Sequence, residues 1–119
     1  MTEIEDRKKN VNVGKVVIVT GSGKGIGKSV AKGFAESGYS VVLNARDESE
    51  LKEAAKEIIR ETMMEDGNIA FISGDVSMEK NCISLIDGAI IRFGRVDVLV
   101  NNAGIKESSK RITDLTTSE

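Results

Sequence analysis

Glycine stands at every second position in Gly21-Ser22-Gly23-Lys24-Gly25-Ile26-Gly27, directly after the apolar run Val16-Val17-Ile18-Val19-Thr20. Without Cβ atoms, such a turn lets the backbone come close to a ligand. Helical apolar spacing begins near Gly25, so unpaired N–H groups and a positive dipole end point at the same place. An anionic phosphate suits that environment. Other residues able to do chemistry sit at the ends of other apolar runs: Arg46 after Leu43-Asn44-Ala45, Asp75 and Val76 after Gly74, and Asn101-Asn102-Ala103-Gly104 after Val96–Val100.

Composition narrows the chemistry further. The chain has 119 residues, which is one domain's worth and enough for a single core, but not for two. It contains no histidine and one cysteine, Cys82. Ser-His-Asp catalysis, ordinary zinc sites and an internal disulfide are thereby excluded, and we expect no metal. The lone cysteine fits a reducing compartment. With 17 basic and 19 acidic residues the formal charge is −2, which offers neither a basic surface for nucleic acid nor an acidic tail. Apolar runs are too short for a signal-peptide core or a membrane span, so we expect a cytoplasmic protein with no membrane partner.

The elements that must position these residues emerge from periodicity. Residues 1–14 are polar and read as a loosely held arm. Lys15 to Thr20 is a strand, and Ile26, Val30, Ala31 and Phe34 form the expected buried stripe of a helix ending near Gly38. Ser40 to Asn44 is a second strand. Asp47 with Glu50 has capping-box spacing at the head of a second helix, expected to run to about Glu65. Asp66-Gly67-Asn68 breaks it, and Ile69 to Ile72 is a third strand. Ser77 can cap a third helix with Ile83, Ile86, Ile90 and Phe93 as its buried stripe, ending at Gly94. Val96 to Val100 is a fourth strand. The order βαβαβαβ, with apolar runs in place of strict alternation, predicts an α/β fold: a Rossmann-like, doubly wound parallel sheet truncated after strand 4. Right-handed crossovers favour strand order 3-2-1-4, with a ligand crevice at the carboxyl ends of strands 1 and 4. We divide the chain into the arm 1–14, a dinucleotide-binding half-domain 15–104 and a polar segment 105–119.

These residues carry a resemblance. Thr20-Gly21-Ser22-Gly23-Lys24-Gly25-Ile26-Gly27 matches the TGxxxGxG turn of the short-chain dehydrogenase/reductase family, Gly74-Asp75-Val76 its short acidic element, and Asn101-Asn102-Ala103-Gly104 its NNAG element. The motifs occur in the right order at the right strand ends, and the resemblance covers about residues 14–119. It implies that the Gly21–Gly27 backbone approaches a pyrophosphate, that Asp75 and Val76 flank an adenine, and that Asn101, Asn102, Ala103 and Gly104 steady strand 4 beside the adenosine ribose. Tight packing alone could also account for the glycines, and turn formation alone for Asp75. Gly27-Lys28-Ser29 also ends like the phosphate loop GxxxxGK[ST], but Ser22 stands where that loop needs glycine, so a triphosphatase-type binder is the remote alternative.

At the end of strand 2, Ala45 stands where relatives using NAD usually carry an acid, and Arg46 follows it. Lys24 in the turn is a second cation. Together they suit a 2′-phosphate, so NADP is expected over NAD. Asp47 reads as a helix cap. The family's chemistry resembles hydride transfer between nicotinamide and a carbonyl or alcohol, using a serine and Tyr-x-x-x-Lys. None of these can be placed here: the only tyrosine is Tyr39, and position 43 is leucine. We therefore assign no catalytic residue. The expected function is the NADP(H)-binding part of such an oxidoreductase, inactive alone. The alternative is a non-catalytic module that binds a dinucleotide or adenine nucleotide, or pairs with a partner chain. Strand 4, with nothing after it to pair with, should expose an apolar edge, so a homo-oligomer is expected.

Overall fold

β-Branched side chains crowd a helical turn but fit a pleated strand, and Val16–Val19 accordingly forms β1, all four residues buried. The computed structural model describes residues 12–103. The other elements are α1 (Gly25–Glu36), β2 (Ser40–Ala45), α2 (Glu48–Thr62), a short 3₁₀ turn (Asp66–Asn68), β3 (Ile69–Ser73), α3 (Glu79–Phe93) and β4 (Val98–Val100). The sheet has four strands in the expected order β3-β2-β1-β4, and each neighbouring pair is parallel. Gly104 and the segment 105–119 lie outside the described residues, as does most of the arm.

Alternation along the strands makes two cores. Val17, Val19, Val41 and Leu43 face α1 and α2, where Ala31, Ala35, Leu51, Ala54, Ala55 and Ile58 meet them. Val16, Ile18 and Val42 face Leu85 and Ala89 of α3. Burial on both sides explains why the strands read as unbroken apolar runs. Leu51 and Ile58 stand two turns apart on one stripe of α2 and are essentially inaccessible, so each contributes about 1.5–3 kcal/mol through burial. Truncating either to alanine should cost about 2–5 kcal/mol.

The helix ends depart from expectation where local side-chain hydrogen bonds intervene. α2 ends at Thr62, short of Glu65. The Thr62 hydroxyl donates to the Ile58 carbonyl at 2.7 Å and accepts from Met64 N at 3.4 Å, while Met63 closes the helix in the left-handed region with φ 62°. A side chain that bonds its own turn competes with continuation of the ladder. Ser77 does not cap α3. That position belongs to Met78, which makes no side-chain cap bond, because Asp75 Oδ1 accepts from Ser77 N at 3.0 Å and so uses Ser77 in a turn before the helix.

The stripe expected on α3 is also corrected. Ile83, Ile86 and Ile90 are exposed, and Leu85 and Ala89 point inward instead. Leu85, Gly88 and Ala89 obey the same spacing as the isoleucines, and packing chooses between them. A Cβ on Gly88 would stand 2.7 Å from Ile72 Cδ1, so the helix settles on its small-residue face close to the sheet. The isoleucines flank that contact. α1 carries a similar correction: Ile26 is 72% exposed, and the buried residues are Gly27, Ala31 and Ala35. Only residues 98–100 of the expected fourth strand form β4, on the outer side of β1, with Leu99 partly exposed.

Candidate functional site

Parallel strands put every carboxyl end on one rim, and the winding reverses between β1 and β4. The Gly21–Gly27 turn lies on that rim. Gly21 and Gly25 have φ of +62° and +64°, a region costly for residues with a Cβ. At Gly25 an added Cβ would meet nothing within 4 Å, so the turn is open to a ligand there. Gly27 differs: its Cβ would collide with the Gly21 carbonyl oxygen and stand 2.6 Å from Asn102 Nδ2. Gly23 is buried, and its Cβ would collide with the Glu50 carboxylate. The four glycines thus serve two purposes. Gly21 and Gly25 provide backbone shape, whereas Gly23 and Gly27 permit close packing.

The turn is tied to β4 through Thr20 and Asn102. Thr20 Oγ1 accepts from Asn102 N at 2.9 Å and Ala103 N at 3.0 Å, and it donates to the Val100 carbonyl at 3.3 Å. Asn102 Nδ2 donates to the Gly21 carbonyl at 2.9 Å. Ser22 is fully buried and turned inward. Its hydroxyl donates to the Val19 carbonyl at 2.7 Å and accepts from Asn44 N at 2.9 Å. Asn44, also buried, sends Nδ2 to the carbonyls of Ile72 at 3.0 Å and Gly74 at 3.3 Å, joining β2 to the loop that carries Asp75. These roles of Thr20 and Asn44 were not anticipated from residue order. A hydroxyl or amide at or just beyond the carboxyl end of a buried strand is the signal that could have found them.

Charge around the rim is compensated. Lys24 and Arg46 are exposed, but each has acidic company. Lys24 Nζ lies 3.7 Å from Glu50 Oε2. Asp47 accepts from Ser49 N at 2.9 Å and Glu50 N at 3.2 Å, the cap expected of it. The Ser49 hydroxyl and the Glu50 N–H hold the Asp47 carboxyl below its ordinary range, with a smaller contribution from the Lys24 charge. Bonds from Ser77 lower Asp75 likewise, and the Arg46 charge adds to them. Val76 is half-buried beside it. Lys28 Nζ pairs with the Glu57 carboxylate on α2, which turns it away from the rim. Among the described residues, no group of three or more metal-ligating side chains comes together. No helix there is long and apolar enough to cross a membrane.

Two surface concavities lie away from the turn. One of about 410 Å³ is lined by Val30, Phe34 and Tyr39, and another of about 440 Å³ by Ala55, Phe71 and Arg92. Both are open depressions in a surface, whereas the glycine turn combines an open Gly25 at a helix start with exposed cations. Chemistry makes the turn the candidate site.

A parallel sheet wound in this order, with a glycine turn at its reversal and an asparagine lock from the neighbouring strand, defines a dinucleotide-fold protein. The chain belongs to the short chain dehydrogenase family, which it matches over residues 15–119. It is 40% identical over 105 residues to 11-beta-hydroxysteroid dehydrogenase A of Sesamum indicum, covering 87% of this chain and 29% of that protein. Among solved structures it is similar to apo glucose dehydrogenase of Caenorhabditis elegans, with TM-score 0.74 and 31% identity over 89% of this chain and 43% of that one. It is also similar to an actinorhodin polyketide ketoreductase solved with NADPH, with TM-score 0.69 and 36% identity over 76% of this chain and 33% of that one. The chain thus spans about a third of the length of the curated relative.

Proposed function

We propose that residues 15–104 are the NADP(H)-binding part of an oxidoreductase that transfers hydride between nicotinamide and a carbonyl or alcohol, with residues 1–14 and 105–119 as polar flanks. The observation that carries this reading is the open Gly25 at the head of α1, beside the junction of β1 and β4, with exposed Lys24 and Arg46 on the same rim. The donor set fits a dinucleotide: N–H groups at the helix start for a pyrophosphate, and cations for a 2′-phosphate. In this reading Gly21, Ser22, Gly23, Gly25, Ile26 and Gly27 form the pyrophosphate turn. Asp75 and Val76 flank the adenine, and Asn102, Ala103 and Gly104 border the adenosine ribose. NADP is favoured over NAD because Ala45 offers no carboxylate to a ribose hydroxyl. The similar ketoreductase solved with NADPH supports the choice. The bound dinucleotide supplies the hydride, while these residues hold and orient it.

Titration calorimetry of the chain at fixed salt tests the reading. 2′,5′-ADP should bind better than 5′-AMP, and Arg46→Asp should reduce that preference at least ten-fold, about 1.4 kcal/mol. Equal affinities in the unaltered protein would refute it. The 119 residues alone should not reduce a carbonyl with NADPH, because proton transfer needs a positioned acid/base.

One observation favours the second reading, a non-catalytic dinucleotide module. Tyr39 packs edge-on against Phe34 with ring centroids 4.8 Å apart, ahead of β2 and so at the opposite end of the sheet from the turn. Turnover by this chain above a no-enzyme control would exclude the module. Both readings place the protein in the cytoplasm and include self-association with a second copy. The support is the outer edge of β4 and the exposed Leu99, Ile86 and Ile90. Light scattering at tens of micromolar should find more than a monomer.

A further inference from the structure

We infer that Glu50 sets how strongly this turn prefers a 2′-phosphorylated nucleotide, by occupying the place over Gly23 and holding Lys24. The inference rests on the dinucleotide reading and deepens it. Glu50 is in the first turn of α2, yet its carboxylate reaches across to the glycine turn. Its Cγ and Cδ lie 3.0 Å from where a Cβ of Gly23 would stand, and Oε2 lies 3.7 Å from Lys24 Nζ. The side chain is 32% exposed, against 74% for Lys24, so the carboxylate is the better-held partner.

The helix that carries Glu50 is itself held against α1. Lys28 pairs with Glu57, and Lys32 Nζ lies 3.1 Å from Glu61 Oε1. With Lys24, the residue before α1, and Glu50 these make a ladder between the two helices, in which cations four residues apart meet carboxylates of α2. Glu50 therefore occupies the last rung, at the rim, where a nucleotide ribose would arrive.

Coulomb's law gives this rung two consequences. A 2′-phosphate dianion drawn to Lys24 must either take the lysine from Glu50 or stand beside a carboxylate. A ribose bearing a free 2′-hydroxyl instead meets a hydrogen-bond acceptor. Glu50 thus narrows the preference from both sides. Asp47 beside Lys24, and Asp75 beside Arg46, add to the negative field without touching Gly23.

The test is titration of the full chain and its Glu50→Gln variant with 2′,5′-ADP and 5′-AMP at low fixed salt. The affinity ratio should widen about two- to five-fold in Glu50→Gln, mainly through tighter 2′,5′-ADP. The gain should shrink at high salt. Lys24→Gln should weaken 2′,5′-ADP more in the Glu50→Gln background than alone, because the lysine is free only there. Should Glu50→Gln fail to fold, Glu50→Asp draws the charge back from Lys24 and should move the ratio the same way by less. An unchanged ratio in folded Glu50→Gln, with the unaltered chain still preferring 2′,5′-ADP, overturns this inference alone. Equal strengthening of both nucleotides also overturns it, since Glu50 would then act on the shared phosphate. Equal affinities in the unaltered chain overturn the dinucleotide preference and this inference with it.

Discussion

Asn102 Nδ2 donates a 2.9 Å hydrogen bond to the carbonyl oxygen of Gly21, joining residues 81 positions apart across the point where the sheet reverses. The same Asn102 offers its backbone N–H to Thr20 Oγ1. One residue after β4 therefore fixes both the end of β1 and the first glycine of the turn. The arrangement is structural first, and any ligand at the turn depends on it. Asn102→Ala should cost about 1–2 kcal/mol in denaturant unfolding. It should also weaken nucleotide binding, whereas a purely local role in the loop would leave binding unchanged.

Two glycines of α1 should respond oppositely to the same methyl group. Gly27→Ala would drive a Cβ into the Gly21 carbonyl, which is backbone and cannot move without opening the turn. We expect a loss of at least about 2 kcal/mol. Gly33 lies in the helix interior with nothing within 4 Å of its added Cβ, so Gly33→Ala should stabilise by about 0.5–1 kcal/mol. Urea midpoints of the two variants provide the comparison.

Acid sensitivity should centre on Asp97. Its carboxylate accepts from Arg95 Nη2 at 2.6 Å and Nε at 2.9 Å, and from Val16 N at 2.8 Å, the start of β1. The Arg95 bonds, then the Val16 N–H, hold its pKa below the ordinary carboxylate value. A lowered folded-state pKa means that the stabilisation is complete above the unfolded value, near 4, and is lost as pH falls through the folded value. Asp47, Asp75 and Glu57 are lowered as well and add in the same direction. Unfolding free energy should therefore fall below about pH 4, and Asp97→Asn should flatten that slope. A slope unchanged by Asp97→Asn would show that the contact is not maintained in solution.

Lys28 separates the dinucleotide turn from a triphosphatase loop. Because it pairs with Glu57 on α2, Lys28→Gln should change nucleotide affinity by less than about two-fold and stability by less than about 1 kcal/mol. A ten-fold loss of magnesium-dependent ATP binding would instead revive the phosphate-loop alternative.

Elements set by neighbours in the chain were legible from residue order alone. β1, β2 and β3 are runs that no helix could use so well, Asp47 caps α2, and Gly94 closes α3 with φ 87°. Alternation of strand and helix, with right-handed crossovers, then leaves little freedom in the order β3-β2-β1-β4. The orientation of particular side chains was not legible, because it depends on partners remote in sequence. Whether α3 buries its isoleucines or Leu85 and Ala89 is settled by the fit of Gly88 on Ile72. Ile26 shares the helical spacing of a core residue yet faces out, since Gly27 is drawn against Gly21 and Asn102. Glu50 satisfies a local capping pattern by type and spacing, but its carboxylate lies on Gly23, because α1 and α2 are packed side by side against the same core. Periodicity describes an angle about one helix axis, and only packing against a second element decides which angle points inward.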